Sequence, residues 1–205
     1  MPVSTTKEVN NLEDLKDAIA KTYIKTVNLN KDIENVGELL AFTQPITLNG
    51  NNHKISFTKT GQNLVFLQLS TINDLVVESQ GTDEWTSTYA TQLYNADGFE
   101  INNSKFTGAN GGLLINGATA TINNVDVSGN TFGGIEVSKG AEASKASSLT
   151  ISGTLTNTTE AYGKPTVWID GKDDGNTVIG GSLFSSDTIK DDQIQYYLNE
   201  ENMTE

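Results

Sequence analysis

The fold is decided by the stretch FEINNSKFTG at residues 99–108, which aligns with ATINNVDVSG at residues 120–129. Each copy then runs through a Gly-Gly pair, at residues 111–112 and 133–134, into another apolar strand. The register therefore repeats after about 21 residues. A period of this length, made of short strands and Gly/Asn turns, is typical of a solenoid in which each coil covers its neighbour's apolar face.

Short strand patterns continue on both sides of this repeat, and most are bounded by Asn, Gly, Asp or Ser. One inward position is predicted to recur at steps of 21 to 29 residues, at Ile46, Ile72, Ile101, Ile122, Ile151 and Val178. The predicted strands span residues 26–29, 39–42, 46–48, 54–57, 64–69, 74–78, 91–94, 99–102, 105–107, 113–115, 121–123, 125–127, 134–137, 149–152, 166–169 and 176–179.

The two ends of the chain depart from this strand pattern. Apolar residues at helical spacing after the candidate N-caps Asn10 and Asn11 predict an amphipathic cap helix over residues 11–22. Residues 186–205 carry a second apolar set that predicts a short C-terminal helix, which either caps the last coil or docks onto another subunit as a homo-oligomer contact. We therefore expect one all-β domain over residues 1–205, with coils at 26–185. The C-terminal apolar set is Ile189, Ile194, Tyr197 and Leu198.

Composition excludes several classes of function. The net charge of −13 opposes binding to nucleic acid, and the basic residues are all lysine, so guanidinium recognition of carboxylate or phosphate is impossible. There is no cysteine, hence no disulfide and no thiolate metal site. No segment has the length and apolarity of a membrane span, and the N-terminus lacks the pattern of a signal peptide. We expect a virion or an extracellular cell surface as the location, without membrane insertion.

The opening of the chain combines VNNLEDLKDAI at residues 9–19, TVNL at 26–29 and ITLNGNNHKI at 46–55. It resembles the opening of pectate-lyase-like right-handed parallel β-helix proteins, in which a capping helix of the form LxxAI leads into a strand and then an apolar coil. The likeness is closest to adhesive domains of Gram-positive surface proteins and to phage structural proteins. It covers about the first 60 residues as a motif and the remainder as a coil pattern. The fold it implies serves lyases, hydrolases, tailspikes and adhesins alike.

The same resemblance implies an arginine base and calcium-holding carboxylates for a lyase, and the chain has no arginine. Lys105 or Lys139 is a conceivable replacement base, although nothing in the spacing selects either. The histidine-containing motifs that the resemblance implies for polygalacturonases are missing, because the single histidine, His53, lies in an Asn-His-Lys turn. We predict no catalytic residue, and carboxylates that converge only in three dimensions are the alternative.

An acidic turn follows the Trp-Ile pair at residues 168–169. The segment with Asp170, Asp173 and Asp174 looks at first like a calcium loop, which needs oxygen ligands at alternating positions, but Lys172 occupies a ligand position and Gly181 stands where a bidentate Glu belongs. We interpret the segment as a polar turn, and a weak calcium site formed with neighbouring coils is the alternative. No cofactor is otherwise predicted.

Residues 80–94 are predicted to form a long insertion that holds Trp85, Tyr89 and Tyr94 beside Asp83 and Glu84. Aromatic rings on the flank of a β-helix can stack on sugar faces, and nearby carboxylates can accept hydrogen bonds from hydroxyl groups. The pattern therefore indicates a glycan-binding site. The alternative is that the rings fold back and cover the core. A second insertion, at residues 140–147, is small and polar and is predicted to be a loop.

Asparagine pairs occupy equivalent turns of the two repeats, Asn102 with Asn103 and Asn123 with Asn124. Asparagine tolerates left-handed backbone, and stacked side-chain amides can bond from coil to coil. We expect a structural asparagine ladder here, and unstacked turn residues are the alternative.

The leading hypothesis from sequence is a non-catalytic structural or attachment module, in a phage particle as capsid decoration or tail, or on a bacterial surface. Its expected partner is a glycan or a protein on a cell or virion surface. The rival is a carbohydrate-active enzyme of the same fold, a polysaccharide lyase or a glycoside hydrolase. An enzyme needs ionisable side chains that meet in one groove, whereas an attachment module needs exposed aromatic or polar patches.

Overall fold

The structure is a computed structural model that describes residues 2–139, 145–158, 165–170 and 174–179. Within these residues the chain is mostly β-strand, and it has one α-helix. The elements are β1 (Thr6–Val9), α1 (Leu12–Ala20), β2 (Thr26–Leu29), β3 (Ile33–Val36), β4 (Leu40–Phe42), β5 (Ile46–Asn49), β6 (Lys54–Phe57), β7 (Gln62–Phe66), β8 (Ser70–Asn73), β9 (Val76–Glu78), β10 (Tyr89–Tyr94), β11 (Phe99–Thr107), β12 (Gly111–Asn116), β13 (Thr119–Asp126), β14 (Gly133–Ser138), β15 (Ser148–Ile151), β16 (Leu155–Thr156), β17 (Val167–Asp170) and β18 (Thr177–Ile179).

Several predictions fall outside the described residues. These are the C-terminal helix over 186–205 with its apolar residues Ile189, Ile194, Tyr197 and Leu198, the coil boundary at residue 185, Asp173 of the acidic turn, and residues 140–144 of the second insertion.

The larger of two parallel sheets, which we call sheet A, has twelve strands. Its main path runs β1-β2-β5-β8-β11-β13-β15-β18, and β3, β6, β9 and β16 pair beside it. Ile101 lies opposite Ile72 in β8 and Ile122 in β13, as the repeat predicts. Two members of the predicted column are wrong by two residues, because Ile46 pairs with Ser70 and Val178 pairs with Leu149. The turns between these strands differ in length, so the sequence alone does not show which residues pair.

The second sheet, sheet B, has the strand order β17-β14-β12-β10-β7-β4 and is also parallel. From β4 onward the chain returns alternately to sheet A and sheet B, so neighbours within each sheet are one full circuit apart in sequence. Side chains from both sheets form one buried apolar cluster between them. Phe42 and Phe66, for example, stack with ring centroids 5.3 Å apart. Burial of a side chain of this size contributes about 2–3 kcal/mol.

Helix α1 occupies the predicted position but is shorter, ending at Ala20. Asn11 is its N-cap, since the Asn11 Oδ1 atom accepts from the backbone N–H of Asp14 at 2.9 Å. The Asp14 carboxylate in turn accepts from the backbone N–H of Asn10 at 3.0 Å. Leu15 and Ala18 are fully buried in the apolar cluster, so α1 contributes to the core next to the first strands of the chain.

Candidate functional site

Trp85 lies in the loop of residues 79–88, which joins β9 to β10. The side chain is 46% exposed, although its ring contacts two other rings. The centroids of Tyr89 and Phe132 lie 5.8 and 5.3 Å from that of Trp85, and both rings meet the indole almost at right angles. Edge-to-face contacts of this kind favour one orientation of the indole. Trp85 is therefore held in place while nearly half of it stays open to solvent.

The loop that carries Trp85 is anchored by the side chain of Asn110, which is completely buried. The Asn110 Oδ1 atom accepts from the backbone N–H groups of Thr86 and Thr88, at 2.9 and 3.2 Å. Its Nδ2 atom donates to the carbonyls of Thr82 and Glu84, at 3.0 and 3.2 Å. One amide thus fixes the backbone on both sides of Trp85.

Beneath Trp85, Tyr89 starts strand β10 and is buried. Its hydroxyl donates to the carboxylate of Glu136 on β14, which is also buried. The indole of Trp168 lies over the backbone of Gly133, where an added Cβ would be 2.6 Å from the Trp168 Cζ3 atom. An added Cβ at Gly111 would be 2.7 Å from the Tyr89 ring and 3.1 Å from Trp168. The two glycines therefore provide the space into which these rings pack.

These rings lie on the outer face of sheet B. Val65, Gln92, Leu114 and Glu136 occupy one aligned row there, and Trp168 continues it. The two apolar members of the row are buried yet do not belong to the central apolar cluster, which places them on the side away from it. The aromatic site is thus supported by a second, smaller packed layer on the outside of the sheet.

The loop before β10 is shorter than the predicted insertion at residues 80–94, because residues 89–94 form β10. Tyr89 and Tyr94 are the two ends of β10, about 16 Å apart at the usual rise of a strand. Trp85 contacts Tyr89, whereas Tyr94 is partly exposed and its hydroxyl lies 3.4 Å from the Gln62 Nε2 atom. The structure therefore brings Trp85 and Tyr89 together but places Tyr94 at the other end of the strand.

The two carboxylates of the predicted site, Asp83 and Glu84, are exposed on the loop directly before Trp85. Among the described residues, no lysine forms an ion pair with either of them. Both carboxylates are therefore accessible as hydrogen-bond acceptors next to the indole.

Three of the four predicted asparagines take part in two separate rows of amides. Asn124 Nδ2 donates to Asn103 Oδ1 at 2.9 Å, and both residues have a positive φ. Asn102 Nδ2 donates instead to Asn73 Oδ1 at 3.0 Å. Asn123 lies opposite Asn102 in the register but is exposed. The second row continues from Asn73 to Asn49, Asn28 and the carboxylate of Glu8.

A polar groove of about 210 Å³ lies where β11 and β13 bend at these asparagines. Its lining includes Asn103, Asn124, Asp74 and the ion pair between Lys105 and Asp126, whose charged atoms are 3.3 Å apart. Lys105, the candidate replacement base, thus lies in a groove but is paired with a carboxylate.

The remaining candidates do not form a cluster in the part of the chain that the structure describes. Asp170 and Asp174 are exposed, and the Asp170 carbonyl accepts from Asn176 Nδ2 at 2.8 Å. His53 Nδ1 lies 3.1 Å from the Asp32 carboxylate in an exposed turn. Across residues 2–139 and the three shorter described segments, no three His, Asp or Glu side chains are grouped in a way that would hold a metal ion.

Comparison with known proteins adds no relative, since no family model, no curated protein and no solved structure matches the chain. No helix in the described segments is both long and apolar enough to cross a membrane.

Sequence reasoning missed four residues of the aromatic site. Phe132, Glu136 and Trp168 come from later strands and turns, 47 or more residues from Trp85, and Asn110 resembles any other turn asparagine. Asn110 precedes the first Gly-Gly pair, but the equivalent position before the second pair is Phe132, so the repeat contains no signal for the role of this asparagine.

Proposed function

We propose that this chain is a non-catalytic attachment module, a right-handed parallel β-helix that presents a carbohydrate-binding aromatic site. The strand order supports the fold. In both sheets each strand pairs in parallel with the strand one circuit later, and the circuits between β8, β11, β13 and β15 are 21 to 29 residues long. Parallel strands with this connection bury their apolar faces in one shared interior, as a β-helix does.

The observation that carries the function is the combination of exposure and rigidity at Trp85. An exposed indole that is fixed in advance loses little conformational freedom when a sugar ring stacks on it. The buried amide of Asn110 and the rings of Tyr89 and Phe132 supply that fixation. A ring that only covered the core would be buried, as Tyr89 is.

An exposed biological surface fits the rest of the chain. We propose a virion, where the module would decorate a capsid or belong to a tail, or the outer surface of a bacterium. The absence of cysteine makes the stability of the chain independent of disulfides, so the fold does not depend on the redox state of its surroundings. The C-terminal residues 186–205 are proposed as a contact between subunits or as a cap.

A retention assay on immobilised glycans tests this function. We expect the purified protein to be retained by a subset of the glycans, and Trp85→Ala to lower affinity about ten-fold or more while the folded state is kept. Tyr23→Ala is the matched control, because Tyr23 is an exposed aromatic residue outside the site, 44% accessible. Equal retention of the wild type and Trp85→Ala would contradict the proposed site, and no retention on any glycan would contradict the proposed function.

A second candidate function, a polysaccharide lyase or glycoside hydrolase, is favoured by one observation. The groove at the bend of β11 and β13 is lined by three ionisable residues, Lys105, Asp126 and Asp74, and the first two form an ion pair there. The test is to assay polyuronates and neutral polysaccharides for unsaturated products and new reducing ends, with and without calcium. Turnover that disappears in Lys105→Ala would replace the attachment hypothesis with an enzyme.

A further inference from the structure

Acidic side chains flank Trp85. Asp83 and Glu84 are exposed directly before the indole, and the Glu136 carboxylate lies behind Tyr89. No arginine occurs in the chain. A sugar that stacks on Trp85 therefore meets carboxylate oxygens and no guanidinium group.

None of the lysines in the described residues forms an ion pair with Asp83 or Glu84. Lys7, Lys16, Lys21, Lys54, Lys105 and Lys145 form ion pairs with carboxylates in other parts of the chain. Lys59 Nζ donates to the backbone carbonyls of Thr60 and Gln62. The part of the chain described here thus has no ion pair at Asp83 or Glu84.

From this arrangement we infer that the aromatic site selects uncharged sugars over acidic ones, an inference that rests on the proposed function. Carboxylates accept hydrogen bonds from sugar hydroxyls, so a neutral hexose or pentose matches the acceptors at Asp83 and Glu84. The carboxylate of a uronic or sialic acid would lie close to both and be repelled. Because the charges are exposed, this repulsion weakens as salt screens it.

The experiment compares matched pairs of oligosaccharides that differ only in charge, such as a galactose oligomer and the galacturonate oligomer of the same length. Binding is followed by Trp85 fluorescence in a Trp168→Phe background, with EDTA present, at about 20 mM and about 500 mM NaCl. We expect the neutral member of each bound pair to bind at least about three-fold more tightly at low salt. The difference should shrink at high salt.

The double variant Asp83→Asn, Glu84→Gln removes the two charges and keeps groups that accept hydrogen bonds. It should reduce the preference for the neutral sugar, whereas Glu100→Gln, a control at an exposed carboxylate on β11, should leave it unchanged. The inference would be overturned if an acidic oligomer bound as tightly as its neutral partner, or more tightly, in EDTA. It would also be overturned if calcium were required and only acidic oligomers then bound. Either result would leave the proposed function standing. Failure of every oligomer, neutral or acidic, to bind would overturn both.

Discussion

The Oδ1 atom of Asn110 accepts the backbone N–H of Thr86 at 2.9 Å, although 24 residues separate them in the sequence. The contact joins the turn between β11 and β12 to the loop that carries Trp85. Because the Asn110 side chain is completely buried, none of its hydrogen bonds competes with water in the folded state. The position of the exposed indole is thus determined by a residue of the turn between β11 and β12.

Replacing Asn110 with alanine should therefore destabilise the protein and release the loop. Several backbone groups of residues 82–88 would lose their partner, and we expect a loss of about 2–4 kcal/mol in the free energy of unfolding. Trp85 emission in a Trp168→Phe background should move towards that of a solvated indole. Denaturant unfolding and emission spectra measure both effects. Asn30→Ala is the control at an exposed asparagine, and an unchanged Trp85 spectrum in Asn110→Ala would contradict the anchoring role.

The repeat predicts the register of the central strands correctly. Residues 99–102 and 120–123 pair as the alignment predicts, because equal turn lengths keep the two copies aligned. The same reasoning failed at Ile46 and Val178, where the turns differ in length. β1 and β3 are missed because TKEV has a single apolar residue and IENV breaks the alternation with two polar residues in a row, and sheet pairing rather than intrinsic propensity makes them strands.

The candidate site was predicted only in part. Trp85 was identified as a surface aromatic residue, but Tyr89 was assigned to the insertion although it lies buried on β10. Its burial depends on the space at Gly111, which is on the adjacent strand β12, and on Glu136, which is on β14 on the far side of β12. A linear pattern cannot reveal which side chains of different strands lie over one another on the outside of a sheet.

The amide row through Asn49, Asn73 and Asn102 provides a second prediction. Asn73 both donates to Asn49 and accepts from Asn102, at 3.0 Å each, and is partly buried. We expect Asn73→Ala to lower the free energy of unfolding by about 1–2 kcal/mol, because the two remaining amides each lose a partner. The matched control is Asn123→Ala, since Asn123 is exposed and forms no side-chain hydrogen bond within the described segments. Equal losses in the two variants would contradict a stabilising row.

The close packing of Trp168 over Gly133 gives a third prediction. In Gly133→Ala the new Cβ would be 2.6 Å from the Trp168 Cζ3 atom and 2.9 Å from the Pro165 carbonyl, so the indole must shift. Overpacking of this kind typically costs about 1–3 kcal/mol. Trp168 emission in a Trp85→Phe background should change as well. Gly37→Ala is the control, because its Cβ would meet only the Thr58 hydroxyl at 3.8 Å. Trp168 emission that is the same in Gly133→Ala as in Gly37→Ala would mean that Trp168 does not pack over Gly133.

The charged groups around α1 give a fourth prediction, which concerns pH. Lys7 Nζ lies 3.4 Å from Asp14 and 3.2 Å from Asp17. The hydrogen bond from the Asn10 backbone, together with Lys7, lowers the pKa of Asp14 below its ordinary value. Hydrogen bonds from Lys21 and Lys7 do the same to the pKa of Asp17. A lowered folded-state pKa means that the charged carboxylate stabilises the fold above the unfolded-state pKa and that this contribution disappears as pH falls through the folded-state value.

Asp14→Asn keeps an oxygen that can accept from the Asn10 backbone and removes the charge. We therefore expect its melting temperature to lie below that of the wild type at pH 7. The gap should begin to close as pH falls below the ordinary carboxyl value of about 3.8, and it should disappear as pH falls through the lowered folded-state pKa of Asp14. Thermal unfolding across pH 2–7 measures the gap, with Glu100→Gln as the control for an exposed carboxylate that has no ion pair in the described segments. A gap that widened towards acid would mean that Asp14 is destabilising when charged, and the contacts with Asn10 and Lys7 would then not govern this end of the fold.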